Sequence, residues 1–228
     1  MEKLVERYMD CFSRLNDPSL LRDERRIETM CREYKLVYGK FLPKDKNARI
    51  LDVGCGMGHF LVFLKREGYV NSYGIDRSED MARYAGSVGC SVECCDAFDY
   101  LKKHKGEFDM VVATDVIEHI ERDRTVEFLQ LVRESLKDEG KAMIKTFNML
   151  NPLYMHLRYI DFTHATGFNE YSLHQVLDAA GFRKIRLFPM RASILNRIID
   201  GIMLLIINTF SNAKYSISSS FIVAIAEK

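Results

Sequence analysis

The chain has 228 residues, 47% hydrophobic and 29% charged, enough to bury one full-sized core, and it reads as a single elaborated domain over 1–228. Its 33 lysines and arginines are balanced by 32 aspartates and glutamates; the net charge of +1 argues against nucleic acid as main partner, since phosphate binding requires a concentrated basic surface. Six cysteines, at 11, 31, 55, 90, 94 and 95, lack paired Cys-x-x-Cys spacing, and no N-terminal apolar segment resembles a secretory signal. A reducing cytoplasm with free thiols is expected.

Residues 1–46 carry a helical pattern. Asp17-Pro18-Ser19 supplies a start, and Ile27, Met30, Cys31, Tyr34, Tyr38 and Phe41 recur at helical spacing, which predicts an N-terminal helical cap. From Ile50 onward short apolar runs at 50–53, 72–76, 91–94, 110–114 and 142–146 alternate with stretches long enough for crossover helices. That rhythm predicts a parallel sheet with helices on both faces. The order then changes: a polar, aromatic region over 147–166 leads to a helix at 170–180, a strand at 185–189, a very apolar helix within 192–210, a small polar loop at 216–220 and a strand at 221–226. The apolar helix, at 194–207, is too short and too interrupted by Arg197 and Asp200 to span a bilayer. Burial against the cap or against a second copy in a homodimer is its default reading. Peripheral contact with a membrane surface, serving a lipid-linked acceptor, is the alternative.

The most telling stretch is Ile50-Leu51-Asp52-Val53-Gly54-Cys55-Gly56-Met57-Gly58-His59-Phe60, an apolar run broken by three alternating glycines before a helical pattern begins. A hinge of this kind suits close approach of a nucleotide-type cofactor to bare backbone. In a dinucleotide fingerprint the third glycine follows the second by three residues, whereas here Gly58 follows Gly56 by two. The Gly-Lys-Ser/Thr ending of a phosphate-cradling loop is missing as well. Ligands of open α/β sheets bind beyond the carboxyl ends of the strands, where Asp76, Asp96 and the 115–119 segment stand. Asp76 closes Tyr73-Gly74-Ile75-Asp76 at the distance expected for a ribose-binding carboxylate.

Asp52-Val53-Gly54-Cys55-Gly56-Met57-Gly58 resembles the first motif of class I S-adenosylmethionine (SAM) methyltransferases. The resemblance covers most of the chain, since two late strands following five alternating ones match that family's sheet. It implies an α/β, Rossmann-like, seven-stranded, mostly parallel sheet with the last strand antiparallel, and SAM as cofactor. It further implies a cofactor site of Asp52, Gly54, Cys55, Gly56, Gly58, Asp76, Arg77, Met81, Asp96, Ala97, Phe98, Asp115, Val116 and His119. In it Asp96-Ala97-Phe98 resembles the family segment that reads adenine, although Asp96 also reads as a helix N-cap. The run from Phe108 to Ile120 resembles the family's fourth-strand motif, beside the methionine part of SAM.

Asp115, Glu118 and His119 have the i, i+3, i+4 spacing that groups side chains on one helix face. Some RNA-terminal and quinone O-methyltransferases hold a divalent ion with similar clusters, but one imidazole with carboxylates is weak evidence for a metal, and none is expected. Transfer from SAM requires in-line positioning and removal of the acceptor's proton, a task suited to histidine. His119 and His164 are the candidate bases; His156 lies in the same late segment. The stretch from Asn148 to Leu173 is rich in aromatic and hydrogen-bonding groups and looks like an acceptor wall. Asp161-Phe162-Thr163-His164, followed by a helix ending at Ala180-Gly181-Phe182, resembles methyltransferases of bacterial surface-polysaccharide biosynthesis, and the sugar acceptor this resemblance implies would give Tyr154, Arg158 and Tyr159 a phosphate and a stacked sugar to bind. The acceptor implied is a small-molecule or glycan-linked hydroxyl, a sugar foremost. A phenolic quinone precursor is the alternative acceptor, and a SAM-binding regulatory protein without turnover is the rival from another class.

Overall fold

The structure, a computed structural model, describes residues 18–190, 194–211 and 213–228. Cys11 and Asp17, the start of the expected helical cap and the beginning of 192–210 lie outside them. Seven strands form one mixed sheet in the order β3-β2-β1-β4-β5-β7-β6. They are β1 (Ile50–Val53), β2 (Ser72–Asp76), β3 (Val92–Cys94), β4 (Phe108–Thr114), β5 (Leu136–Phe147), β6 (Arg183–Met190) and β7 (Phe221–Glu227). As expected, β7 runs antiparallel to β6 while β1 pairs in parallel with β2 and β4.

One compact unit takes in the described residues of Met1–Ala113 and Glu134–Lys141. Each residue of β1 is buried, which an apolar strand covered on both faces requires, and Asp52 is the exception in chemistry though not in burial. Val53 pairs with Ile75, and Asp76 with Cys94, so β1, β2 and β3 end level and the glycine loop, Asp76 and Asp96 share one edge. Among the described residues the α-helices of this unit are α1 (Glu24–Tyr38), α2 (His59–Arg66), α3 (Glu79–Ser87) and α4 (Ala97–Lys103).

The N-terminal segment differs in detail from expectation. Pro18 opens only a 3-10 turn, Pro18–Arg22, and α1 is started by Asp23, whose carboxylate accepts from the main-chain N–H of Arg25 and Arg26. Ile27 and Met30 on the inner face of α1 join Leu21, Met57, Val62 and Met81 in one buried cluster. Tyr34 and Tyr38 meet Phe60 at ring distances of 6.1 and 5.5 Å. The segment thus packs directly on the glycine loop and α2.

Strand β5 begins at Leu136, six residues before the apolar run that announces it. Its polar start, Leu136-Lys137-Asp138-Glu139-Gly140-Lys141, hides the strand, yet Gly140 lies so close to β4 that an added Cβ would meet the Phe108 carbonyl oxygen at 3.1 Å.

The other compact unit takes in Thr114–Arg133 and Ala142–Lys228. Here α7 (Glu170–Ala179) starts from a reciprocal capping box between Asn169 and Ser172. The β6–β7 pair runs from Arg183↔Glu227 to Met190↔Phe221, with an irregularity between Arg183 and Arg186. The remaining α-helices among the described residues are α5 (Thr125–Ser135), α6 (Leu157–Ile160) and α8 (Ile194–Phe210). Among the described residues no helix is long and apolar enough to cross a membrane.

Candidate functional site

The loop after β1 is held by its backbone. The N–H groups of Gly54 and Cys55 both donate to the Ile75 carbonyl oxygen, at 2.8 and 3.0 Å, and Gly56 N–H donates to Asp76 Oδ2 at 2.8 Å. Gly54, Gly56 and Gly58 all sit at positive φ, which L side chains rarely adopt. A Cβ on Gly56 would have no neighbour within 4 Å, whereas one on Gly58 would meet Cys90 Sγ at 3.0 Å and Ala85 Cβ at 3.1 Å. Gly56 therefore borders open space and Gly58 permits close packing on α3. The structure adds Gly74 in β2: a Cβ there would lie 2.6 Å from Leu61 Cδ1 and 2.7 Å from Cys55 Sγ, so this glycine lets α2 and the loop lie against the strand.

Two carboxylates flank the loop. Asp76 accepts from Gly56 N–H through one oxygen and from Ser78 N–H through the other, leaving each oxygen a second lone pair. Burial pushes its carboxyl above the ordinary carboxylate value, against the pull of those two N–H groups. Asp52 is 1% exposed and its Oδ1 has no hydrogen-bond partner. Burial, with the nearby Asp76 charge, pushes it well up. A buried acceptor lacking a donor, beside an open glycine, fits a ligand that brings hydroxyl or ammonium donors and positive charge. SAM carries both and no phosphate.

The neighbouring predicted residues serve several ends. Asp96 caps α4 through Phe98 N–H at 2.9 Å and Asp99 N–H at 3.4 Å, so the Phe98 amide is already used within the cap. Phe98 and Met81 are buried, the latter in the cluster under α1, while Arg77 is exposed. Cys55 is buried, and burial pushes its thiol far up, so it is an inert packing group.

In the second unit the expected helix face at 115–119 is replaced by a three-residue 3-10 turn, Ile117–His119, after Asp115 takes φ 57°. The side chains of Asp115, Glu118 and His119 have three different partners. Asp115 N–H donates to the Lys145 carbonyl oxygen at 2.9 Å, and its carboxylate forms an ion pair with the buried Lys145 ammonium, which also stands 3.9 Å from the centre of the Phe221 ring. Val116 is half-buried. Glu118 is buried, accepts from Thr146 Oγ1 at 3.0 Å through Oε2, and leaves Oε1 without a hydrogen bond. Burial, then the Asp115 charge, pushes its carboxyl up to about 8. His119 Nδ1 lies 2.8 Å from Thr163 Oγ1.

His164 joins them from the late segment. Its ring centre is 4.7 Å from that of His119 and 5.2 Å from that of Phe147. Glu118, His119 and His164 each offer a ligating atom, all within 4.8 Å of one another, the spacing of groups that could share an ion or a proton. His156 is exposed and stands on the Leu153 carbonyl oxygen. Arg158 is engaged internally, donating to the carbonyl oxygens of His164 and Ala165, while Tyr159 is 81% exposed. Lys145, Thr146 and Thr163 are the members that sequence reasoning missed; only the placement of Lys145 and Thr146 at the end of an apolar run signalled them.

The methyltransferase domain family matches residues 22–187, nearly three quarters of the chain. The chain belongs to this family. The domain is of the SAM-dependent methyltransferase type, with the Rossmann-like sheet described above. A SAM-dependent methyltransferase from Archaeoglobus fulgidus is 26% identical, with a TM-score of 0.69 over 87% of this chain and 94% of that one. A ubiquinone biosynthesis O-methyltransferase from Neisseria meningitidis serogroup C is 26% identical over 49% of this chain and 49% of its own length. The sphingolipid C9-methyltransferase of Candida albicans is 24% identical over 44% of this chain and 22% of its own. The match thus spans about half or less of these two curated relatives.

Proposed function

We propose that the chain transfers a methyl group from SAM to a hydroxyl of a small-molecule or glycan-linked acceptor, with a sugar as the leading class and a place in surface-polysaccharide synthesis. The observation that carries this reading is the meeting of His119 and His164 beside a segment rich in hydrogen-bonding groups, since a hydroxyl acceptor must lose a proton. SAM supplies an electrophilic methyl on a sulfonium. Gly54, Cys55, Gly56 and Gly58 present backbone to it, Asp76 accepts from the ribose hydroxyls, and Asp52 balances its positive charge. Asp96 and the Ala97 amide address adenine, with Phe98 and Met81 backing that wall and Arg77 at its rim. Asp115, Val116 and His119 serve the methionine end. His119 or His164 takes the acceptor's proton, and the reaction needs no metal.

A phenolic quinone precursor is the second acceptor class, favoured by the two Neisseria ubiquinone biosynthesis O-methyltransferases at 26% and 27% identity. The test is calorimetry with SAM and NAD, followed by labelled-methyl transfer to nucleotide sugars, glycans and phenols, with and without a chelator. SAM binding with transfer to a sugar is expected. Transfer confined to phenols selects the second class, and loss of transfer on chelation overturns the metal-free reading. The apolar face of α8 is proposed to meet a second copy of the chain. Arg197 and Asp200 leave that helix without net charge, whereas membrane-surface helices are rich in cations.

A further inference from the structure

His119 and His164 have different Nδ1 partners, and the difference sets how each ring is held. Thr163 Oγ1 lies 2.7 Å from Asp161 Oδ1 and 2.8 Å from His119 Nδ1. The same Asp161 oxygen accepts the Thr163 main-chain N–H at 2.8 Å, which fixes the threonine over the carboxylate. A threonine hydroxyl has one hydrogen, and an ionised carboxylate only accepts. The hydrogen therefore goes to Asp161. Thr163 Oγ1 then meets His119 as an acceptor, so Nδ1 carries the ring hydrogen and Nε2 holds the lone pair.

His164 also directs Nδ1 to an acceptor, the Arg158 carbonyl oxygen at 3.2 Å. That support is a neutral carbonyl, and the Arg158 guanidinium donates into the same turn. A proton arriving on His119 meets the Asp161 charge through the intervening hydroxyl, which works against burial and the His164 charge that lower this imidazole; at His164 the Nδ1 partner is the Arg158 carbonyl oxygen. The other charged or titratable groups around the pair are Glu118 and Asp115, the latter paired with Lys145.

We propose that Thr163 and Asp161 are positioning residues that hold His119 in the Nδ1–H tautomer and thereby select it, over His164, as the base for the acceptor hydroxyl. This rests on the methyl-transfer reading above. The acceptor O–H bond breaks, its proton bonds to His119 Nε2 and its electron pair stays on oxygen to bond the methyl carbon. The old carbon–sulfur pair departs with sulfur, and Nε2 later releases its proton to water. The arrangement parallels triads in which a third group fixes the tautomer of a histidine base, here with a hydroxyl inserted.

The deciding measurement is the long-range nitrogen–proton correlation spectrum of the full chain, labelled at histidine, with no cofactor or acceptor added. The His119 signals are assigned by their loss in His119→Gln. The wild-type chain is expected to show His119 as Nδ1–H, Thr163→Val to move it toward the Nε2–H form, and Thr163→Ser to restore it. Wild-type His119 in the Nε2–H form, or a Thr163→Val chain with intact His164 signals and unchanged His119 tautomer, overturns the proposal. If Thr163→Val does not fold, the wild-type and Thr163→Ser spectra decide alone. In turnover, Thr163→Val is expected to lower kcat by about tenfold or more with KM for SAM unchanged, and Thr163→Ser to recover it. Failure of the wild-type chain to bind SAM would sink the methyl-transfer reading and leave the tautomer result standing.

Discussion

Gly56 and Gly74 both exclude a side chain, for opposite reasons. At Gly56 the backbone lies at φ +53° and the space beyond it is open, so Gly56→Ala adds about 1 kcal/mol of strain and projects a methyl toward the ligand side. SAM affinity is expected to fall at least tenfold, about 1.4 kcal/mol, by calorimetry. At Gly74 the added methyl collides with Leu61 and Cys55, and Gly74→Ala is expected to lower stability by about 1–3 kcal/mol in urea unfolding. The Lys145–Asp115 pair is another residue-scale contact. Lys145→Met leaves the Asp115 carboxylate without its cation, and because Asp115 is partly exposed the loss should be about 1–3 kcal/mol, partly recovered in the double variant with Asp115→Asn.

Glu118 makes stability depend on pH in a direction fixed by its raised carboxyl. The folded chain holds this proton between the ordinary glutamate value and about 8, while the unfolded chain releases it near the lower end. The folded state therefore binds more protons in that window, and its stability falls as pH rises through it. Asp52 and Asp76, also raised, act in the same sense. Between pH 5 and pH 8 this falling contribution is opposed by His59 and His119, which burial lowers, and Glu118→Gln, which keeps an acceptor for Thr146, should remove the falling contribution from the slope of the urea midpoint. An equal slope in wild type and variant would rule Glu118 out as a source.

Among elements, α1 links a local capping signal to the cofactor loop. Asp23→Ala removes the acceptor for Arg25 and Arg26 N–H and should lower stability by about 1 kcal/mol. Since Met57 of the glycine loop is packed among residues of this segment, SAM affinity is expected to drop as well. An unchanged affinity with lowered stability would show that the cap supports α1 alone. The 3-10 turn at Ile117–His119 illustrates the limit of spacing arguments: helical periodicity places Asp115, Glu118 and His119 together, but each answers to a residue far along the chain. Lys145 and Thr146 come from β5, and Thr163 from a loop 44 residues beyond His119.

At the scale of the whole molecule, α8 leaves Leu195, Ile198, Ile202, Leu205 and Phe210 more than half exposed. A pair of chains sharing that face would cover them. Ile202→Glu with Leu205→Glu is expected to convert a dimer to a monomer in sedimentation, with no gain or loss of vesicle binding. A wild-type chain that sediments as a monomer and floats with anionic vesicles would favour the membrane instead.

The sheet rhythm, the glycine loop and Asp76 were legible because their requirements are local: alternating apolar runs, backbone angles that admit glycine, and a carboxylate closing a strand. Those features determined the sheet class and placed a glycine loop and a carboxylate at neighbouring strand ends. Tertiary structure decided the rest. It separated Gly56 from Gly58, spent Arg158 on its own turn, tied Asp115 to Lys145 and brought His164 beside His119. Spacing cannot foresee such pairings, because a side chain's partner is set by which distant elements the buried core brings within hydrogen-bond reach.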